Sequence, residues 1–155
     1  MLTIKTFLAP SAVHGIGLFA AEPILSGEVI WKFNKLVDRV YSGKTFLNIC
    51  LNSPDNGLAH LLNAAYLRGG KFYYVTDNAR FINHSEYNCN VVFDDDLTEV
   101  ASREISTGEE LLENYTLSYD RTDYFFRERS EPDPLHYVQT VCNIELAYAY
   151  RADLS

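Results

Sequence analysis

Cysteine is scarce in this sequence and poorly placed for metal work, since Cys50, Cys89 and Cys142 are its only three. An odd, widely spaced set with no C-x-x-C pair and no Cys/His ligand spacing argues against structural zinc, and no metal is expected. Basic side chains are also in deficit, 13 Lys and Arg against 21 Asp and Glu, for a net charge of −8. That balance argues against binding nucleic acid or an anionic membrane surface, and favours a cationic partner such as a lysine-rich segment. No apolar run approaches the ~18 residues that a membrane span needs. The opening MLTIKTFLAPSAVHG holds no apolar core of signal-peptide length with a small-residue cleavage site behind it. The chain is therefore expected in the cytoplasm, not secreted by a signal peptide. Asn83-His84-Ser85 and Asn114-Tyr115-Thr116 fit the glycosylation pattern, but a cytosolic chain never meets that machinery.

What is present is an ordinary globular composition, 47% hydrophobic and 22% charged, with a heavy aromatic load of 11 Tyr and 9 Phe. At 155 residues it is in the range of one domain. Thr3–Leu8 alternates apolar and polar residues and predicts a strand. Turns at Gly15 and at Ser26-Gly27 separate further strands at Leu18–Ala20 and Val29–Phe33, a β meander. From Ser53 the pattern changes to that of a helix. Pro54 suits the first helical position, Leu58, Leu61, Leu62 and Ala65 share a face, and Gly69-Gly70 is the stop, so one helix is predicted over Pro54–Arg68.

Lys71–Thr76 returns to strand, and Ala79–Ile82 predicts a single helical turn. Val91–Phe93 and Glu99–Ala101 can pair across the acidic turn Asp94–Asp96, and Leu111–Asn114 predicts a last short strand. The tail from Asp133 carries Leu135, Val138, Val141, Cys142 and Leu146 at helical spacing. Without repeats or linkers, the whole is expected to form one compact unit.

Three motifs stand out. Gly15-Ile16-Gly17 leads into strand-like Leu18-Phe19-Ala20 rather than a third glycine and a helix, so it is a turn whose backbone can lie close to a ligand, not a dinucleotide fingerprint. RFINHS, residues 80–85, puts the hydrogen-bonding pair Asn83-His84 directly after an apolar turn, where burial requires partners. A nucleophilic serine is excluded there, because neighbouring His84 and Ser85 do not face each other and no G-x-S-x-G elbow surrounds the serine. GEELLENY, residues 108–115, places two acids before a strand ending in Tyr115; Glu109 and Glu110 read as solvated turn charges whose side chains point apart.

In this order, HGIGLFA, VIWKF, RFINHS and GEELLENY resemble the SET domain family of protein lysine methyltransferases, over Val13 to about Tyr119. The resemblance implies a mainly β (β+α) fold of several small sheets around a knot-like crossing, with one inserted helix and a C-terminal helical tail. Residues 1–120 would form the SET domain, with the helical insert at about 42–70, and 121–155 a flanking segment packed on the same domain. It further implies S-adenosylmethionine as cofactor, S-adenosylhomocysteine as product, and a substrate lysine entering by a narrow channel on the opposite face. Carried over by position, the backbone of Ile16, Gly17 and Leu18 meets the cofactor's methionine part. Asn83 fixes its amino-acid end, the His84 main chain meets its adenine, and Tyr115 is the catalytic tyrosine. Phe33, Glu113 and Tyr119 belong to the substrate channel.

The sequence departs from that family at four places. After Ser85 relatives usually run two residues and then Pro-Asn, whereas here Glu86-Tyr87-Asn88-Cys89-Asn90 implies an inserted residue or a lost proline. Phe33 replaces a channel tyrosine, and Glu113 an aromatic that often sets how many methyl groups are added. Behind the domain, Cys142 stands alone where many relatives have a three-cysteine zinc cluster. The segment Tyr124–Tyr150 is therefore expected to close the pocket, with Tyr137 as an aromatic wall of the cofactor site. The partner implied is a lysine-bearing basic protein, a histone or another, and an edge strand in so small a β domain can support a homodimer. The short chain looks like microbial or viral relatives, whose site of action includes the host nucleus. A catalytically inactive SET-like module that binds a lysine-rich protein is the alternative.

Overall fold

A computed structural model describes residues 1–95, 97–123, 137, 139 and 140. In chain order these form β1 (Thr6–Pro10), β2 (Ile16–Ala20), β3 (Val29–Lys32), β4 (Arg39–Ser42), α1 (Gly43–Leu51), α2 (Asp55–Ala64), β5 (Ala65–Arg68) and β6 (Lys71–Tyr74). A 3-10 turn (Asn78–Phe81) follows, then β7 (Asn83–His84), β8 (Val91–Asp95), β9 (Thr98–Ala101), β10 (Leu112–Glu113) and α3 (Tyr115–Ser118). Three sheets result, ordered β1-β2, β3-β9-β8-β10-β7 and β4-β6-β5. The expected set of small sheets is present. The described residues divide into two compact units where one was expected: Met1–Asp38 with Val75–Ser118, and Arg39–Tyr74 with the described residues from Tyr119 onward.

In the first unit, β1 and β2 pair as a hairpin from Thr6↔Ala20 to Pro10↔Ile16. β1 starts later than the alternation predicts, because residues 2 and 3 already serve β3: Leu2 bridges Trp31 and the Thr3 N–H donates to the Ile30 carbonyl at 2.9 Å. Two turns then repeat one design, although the sequence shows no repeat. In Leu25–Glu28 and Ser106–Glu109 a glycine sits third with φ of 80° and 82°, the value a type II turn requires there. Each following glutamate accepts a hydrogen bond from the first N–H of its own turn, Glu28 from Leu25 at 2.9 Å and Glu109 from Ser106 at 3.0 Å. Ile24 and Ile105, preceding the two turns, pair with each other and are buried.

The five-stranded sheet contains the crossing. β8 and β9 pair as the sequence predicts, Val91↔Ala101 through Asp95↔Thr98, but Asp94 and Asp95, expected in the turn, belong to the strand. β10 lies between β7 and β8 and runs parallel to both, with Leu112↔Asn83, Glu113↔His84 and Glu113↔Val91. Residues 85–90 join β7 to β8, so they must pass around β10; they are tied to it by Ser85 N–H to the Glu113 carbonyl and Asn90 N–H to the Leu112 carbonyl, both 2.9 Å.

The second unit corrects the single inserted helix. Two helices occur, α1 and α2, and the predicted helical run ends at Ala64, after which Ala65–Arg68 is strand. The cause is Gly69-Gly70: with φ of 55° and 70° they make a two-residue hairpin turn that folds β5 onto β6, Arg68↔Lys71, rather than capping a helix. α1 begins at Gly43, a poor helix former, and is started by its cap, the Ser42 hydroxyl accepting from Thr45 N–H at 3.2 Å. Phe46, Cys50, Leu58, Leu62, Leu67, Phe72 and Tyr137 form this unit's core, with the Phe46 and Phe72 rings stacked 4.2 Å apart.

Tyr137, expected as an aromatic wall of the cofactor site, is 1% exposed within that core. Gln139 and Thr140 share its helical conformation; the remainder of the expected tail helix, and Cys142, lie outside the described residues. On the opposite sheet face, Tyr66 stacks on Tyr73 at 5.6 Å and meets Tyr119 at 4.5 Å, which places the expected channel residue Tyr119 in an aromatic cluster of this unit.

Asp120 holds the hairpin turn, its carboxylate accepting from Gly69 N–H at 2.9 Å and Gly70 N–H at 2.8 Å. The Asp123 carboxylate accepts from Leu67 N–H on the same strand. Asp120→Ala is expected to cost about 1.5–3 kcal/mol in urea unfolding, as for hydrogen bonds to a charged group, and Asp120→Asn less. Equal stability of wild type and Asp120→Ala would remove the clamp from this account.

Candidate active site

RFINHS folds as a 3-10 turn followed by two strand residues. Asp77 caps the turn, its carboxylate accepting from Ala79 N–H at 3.0 Å, and Ile82 N–H closes it onto the Ala79 carbonyl at 2.9 Å. Ile82 is buried, which turns the chain and presents Asn83 and His84 as an edge strand beside β10. The Asn83 amide then reaches three segments at once: Nδ2 lies 3.0 Å from the His14 carbonyl, 3.2 Å from the Ile16 carbonyl and 3.0 Å from Glu110 Oε1. The Gly15-Ile16-Gly17 turn and the GEELLENY strand are thus brought to one residue.

Gly17 is needed for close approach rather than for an unusual backbone angle. A side-chain carbon there would stand 2.2 Å from Glu110 Oε1 and 3.1 Å from Ser11 Cβ. Ile16 beside it is about half exposed, whereas Leu18 is fully buried with its carbonyl accepting from Leu111 N–H at 2.8 Å. Any ligand contact by Leu18 is therefore through its backbone, as the motif implies.

His84 and Tyr115 meet. His84 Nδ1 accepts from Tyr115 N–H at 3.1 Å, which assigns the hydrogen of the neutral ring to Nε2, and the two rings are 5.2 Å apart. Asn114 starts α3 behind them, its Oδ1 accepting from Thr116 N–H at 3.0 Å. The Tyr115 hydroxyl donates to the Ile82 carbonyl, so its oxygen is oriented by main chain on one side. Glu113 is 2% exposed and in register between His84 and Val91. Phe33 extends β3 at the other edge of the sheet, packed edge-to-face on Trp31 at 6.4 Å. The structure thus gathers Ile16, Gly17, Asn83, His84, Glu113 and Tyr115 about β7 and β10, and sets Phe33 beside the far edge strand, with β9 and β8 between β3 and β10.

Two further residues carry the site that sequence reasoning passed over. Asn90 is 1% exposed, and its side chain satisfies the strand that holds the site: Oδ1 accepts from Leu112 N–H at 2.8 Å, and Nδ2 donates to the Glu110 carbonyl at 2.8 Å and Glu109 Oε1 at 3.1 Å. The segment that departs from the family pattern begins with a turn held by Asn88 N–H on the Ser85 hydroxyl at 3.0 Å and ends at this buried Asn90. The second is Glu110, which the sequence suggests is a solvated charge and which instead lies over Gly17. The adjacency of Glu109 and Glu110 in an extended stretch was the available signal, since such neighbours serve opposite faces.

The SET domain family profile matches residues 15–116, more than half of the chain. The chain belongs to the SET domain family. No curated protein matches it in sequence. Among solved structures this SET domain is similar to the polycomb repressive complex 2 of Chaetomium thermophilum, at 22% identity and a TM-score of 0.55, covering 72% of this chain and 15% of that one. It is also similar to the same complex in an autoinhibited conformation bound to S-adenosylmethionine, at 21% identity and a TM-score of 0.56, covering 75% of this chain and 16% of that one. The SET domain described here therefore spans a small fraction of those chains, and the likeness is one of fold.

Glu109 contributes through charge. Its side chain pairs with Arg103 at 2.6 Å, and this hydrogen bond, ahead of those from Ser106 and Asn90, holds its carboxyl below the ordinary glutamate value of 4.5. A carboxyl lowered by folding stabilises the fold fully above that value, and the contribution is lost as pH falls through the folded value. The melting-temperature difference between wild type and Glu109→Gln, corresponding to about 1 kcal/mol after screening, should shrink as pH is lowered from neutral through that range. A difference that stays constant throughout would contradict the assignment. Asn90→Ala leaves the Leu112 N–H and the Glu110 carbonyl without a side-chain partner, and is expected to cost about 3 kcal/mol in denaturant unfolding, with a loss under 1 kcal/mol counting against its anchoring role.

Proposed function

We propose that this SET domain is a protein lysine N-methyltransferase that uses S-adenosylmethionine. The observation that carries the proposal is the position of Tyr115, whose hydroxyl is fixed on the Ile82 carbonyl, one residue before the Asn83 cluster that joins three chain segments. A reacting amine beside that hydroxyl would also stand beside whatever Asn83 holds.

The donor set fits the cofactor. Around Asn83 stand the His14 and Ile16 carbonyls and the Glu110 carboxylate, all acceptors, next to a glycine with no side chain. Acceptor oxygens suit a molecule that carries an ammonium and a sulfonium, and a bare backbone lets it lie close. When bound, the cofactor supplies a methyl group activated by positive charge on sulfur.

The protein's own residues then align and exclude. A free lysine amine has a pKa near 10.4 and is cationic at neutral pH, and a neighbouring positive charge favours loss of its proton. The Tyr115 oxygen, oriented by the Ile82 carbonyl, directs the amine lone pair along the line of displacement, and His84 fixes the Tyr115 backbone from behind. No strong base is required for the transfer itself. Glu113 and Phe33 are assigned to the lysine channel, and the net charge of −8 favours a basic protein as substrate, a histone or another, in the cytoplasm or a host nucleus.

The test is incubation of wild type and Tyr115→Phe with labelled S-adenosylmethionine and lysine-rich proteins. Wild type is expected to transfer label, and Tyr115→Phe to be slower by about 100- to 1000-fold in kcat. Equal labelling by both proteins removes Tyr115 from its role. Cofactor binding without transfer to any substrate leaves the other reading, a module that binds lysine without turnover.

A further inference from the structure

We infer that Glu110 binds the cofactor directly, as the anionic partner of its α-ammonium group. The inference rests on the cofactor proposal above and adds to it a residue that neither the motif nor the family resemblance assigns. Its basis is an imbalance around Asn83. One amide nitrogen with two hydrogens is shared among three oxygens, the His14 and Ile16 carbonyls at 3.0 and 3.2 Å and Glu110 Oε1 at 3.0 Å. The cluster has more acceptors than the amide can satisfy. It also carries a negative charge, and no basic side chain among the described residues pairs with Glu110.

The position of that charge is fixed by the fold. Glu110 bridges Phe19 on β2, with Glu109 and Leu111 bonded through their backbones to Ala20 and Leu18 on either side. The Glu110 side chain is thereby directed across Gly17, where an added carbon would come within 2.8 Å of its carboxyl carbon. Glu110 and Asn83 are both only partly buried, and Ile16 beside them is 51% exposed, so a ligand can reach the cluster from solvent. A primary ammonium has three N–H donors and a positive charge, which matches one carboxylate and two carbonyls. A ligand without an amino group leaves the carboxylate as it is.

A supporting role, in which Glu110 merely steadies Asn83, predicts something different: every adenosyl ligand would weaken alike. The two roles are separated by isothermal titration of wild type and the isosteric Glu110→Gln with three probes, S-adenosylmethionine, S-adenosylhomocysteine and 5′-methylthioadenosine, which lacks the amino-acid part. The expected result is a loss of about 10- to 100-fold for the first two in Glu110→Gln, the effect of a charge-assisted hydrogen bond, with binding of 5′-methylthioadenosine unchanged.

An equal loss for all three probes, or no loss for any, overturns the inference. So does a loss confined to S-adenosylmethionine, which would mean that the carboxylate answers the sulfonium. Melting curves accompany each titration. If Glu110→Gln fails to fold, Glu110→Asp, which keeps the charge on a shorter arm, gives the same decision through the ratio of S-adenosylhomocysteine to 5′-methylthioadenosine affinity, a fall in that ratio being expected and an unchanged ratio overturning the inference. Wild type that binds none of the probes overturns the cofactor proposal itself, and this inference with it, whereas wild-type binding with an unaltered Glu110→Gln defeats the inference alone.

Discussion

A strand of two residues laid parallel between two others is the constraint on which the first unit depends. Leu112 and Glu113 are too few to hold a place in a sheet by their own ladder, so the polar side chain of Asn90 completes the bonding of this strand from within the protein. The pairing fixes Asn83 and His84 on one side and delivers Tyr115 two residues beyond the strand end. Asn83, His84 and Glu113 lie in this parallel pairing, and Ile16, Glu110 and Tyr115 are each bonded to a residue that does. A buried, fully used asparagine is a demanding solution, because each of its partners must be in position before any of them is satisfied.

Much of this was legible in the sequence. Alternation and turn residues gave the β8/β9 hairpin and the 3-10 turn to within a residue or so, since both are set by local chemistry. RFINHS and GEELLENY identified the two segments that meet. The misreadings arose where a tertiary partner decides. Ala65 continues the helical face of α2 in sequence, yet the backbone there is strand because Gly69 and Gly70 can turn it onto β6. Glu109 and Glu110 look alike in sequence, and only the partners of each, Arg103 for one and Asn83 for the other, distinguish them.

The two matching turns show the same principle on a smaller scale. Gly27 and Gly108 are followed by glutamates that cap their own turns, and the backbone of each turn is bonded to the strand that precedes the other: Gly27 N–H to the Ala101 carbonyl, Gly108 N–H to the Ala20 carbonyl, both 2.8 Å. The sequence similarity is only a small polar residue, glycine and glutamate after an isoleucine. It escapes a search for repeats, yet it sets β2 against the segment that carries Glu110, and so sets the geometry of the cluster around Asn83.

The passage of residues 85–90 around β10 also ties the site to pairings that are distant in sequence. Asn83 and His84 are made well before Leu112, and until β10 arrives they have an edge with nothing to bond to. Closing a loop of this length is entropically costly and slow relative to forming a local hairpin, so β8 and β9 can pair early while the site waits. When β10 does enter, both of its neighbours are satisfied in the same step, and the enclosing segment leaves no edge from which it can fray alone. The cluster around Asn83 and the tyrosine beside it are therefore a property of the whole first unit rather than of any shorter fragment.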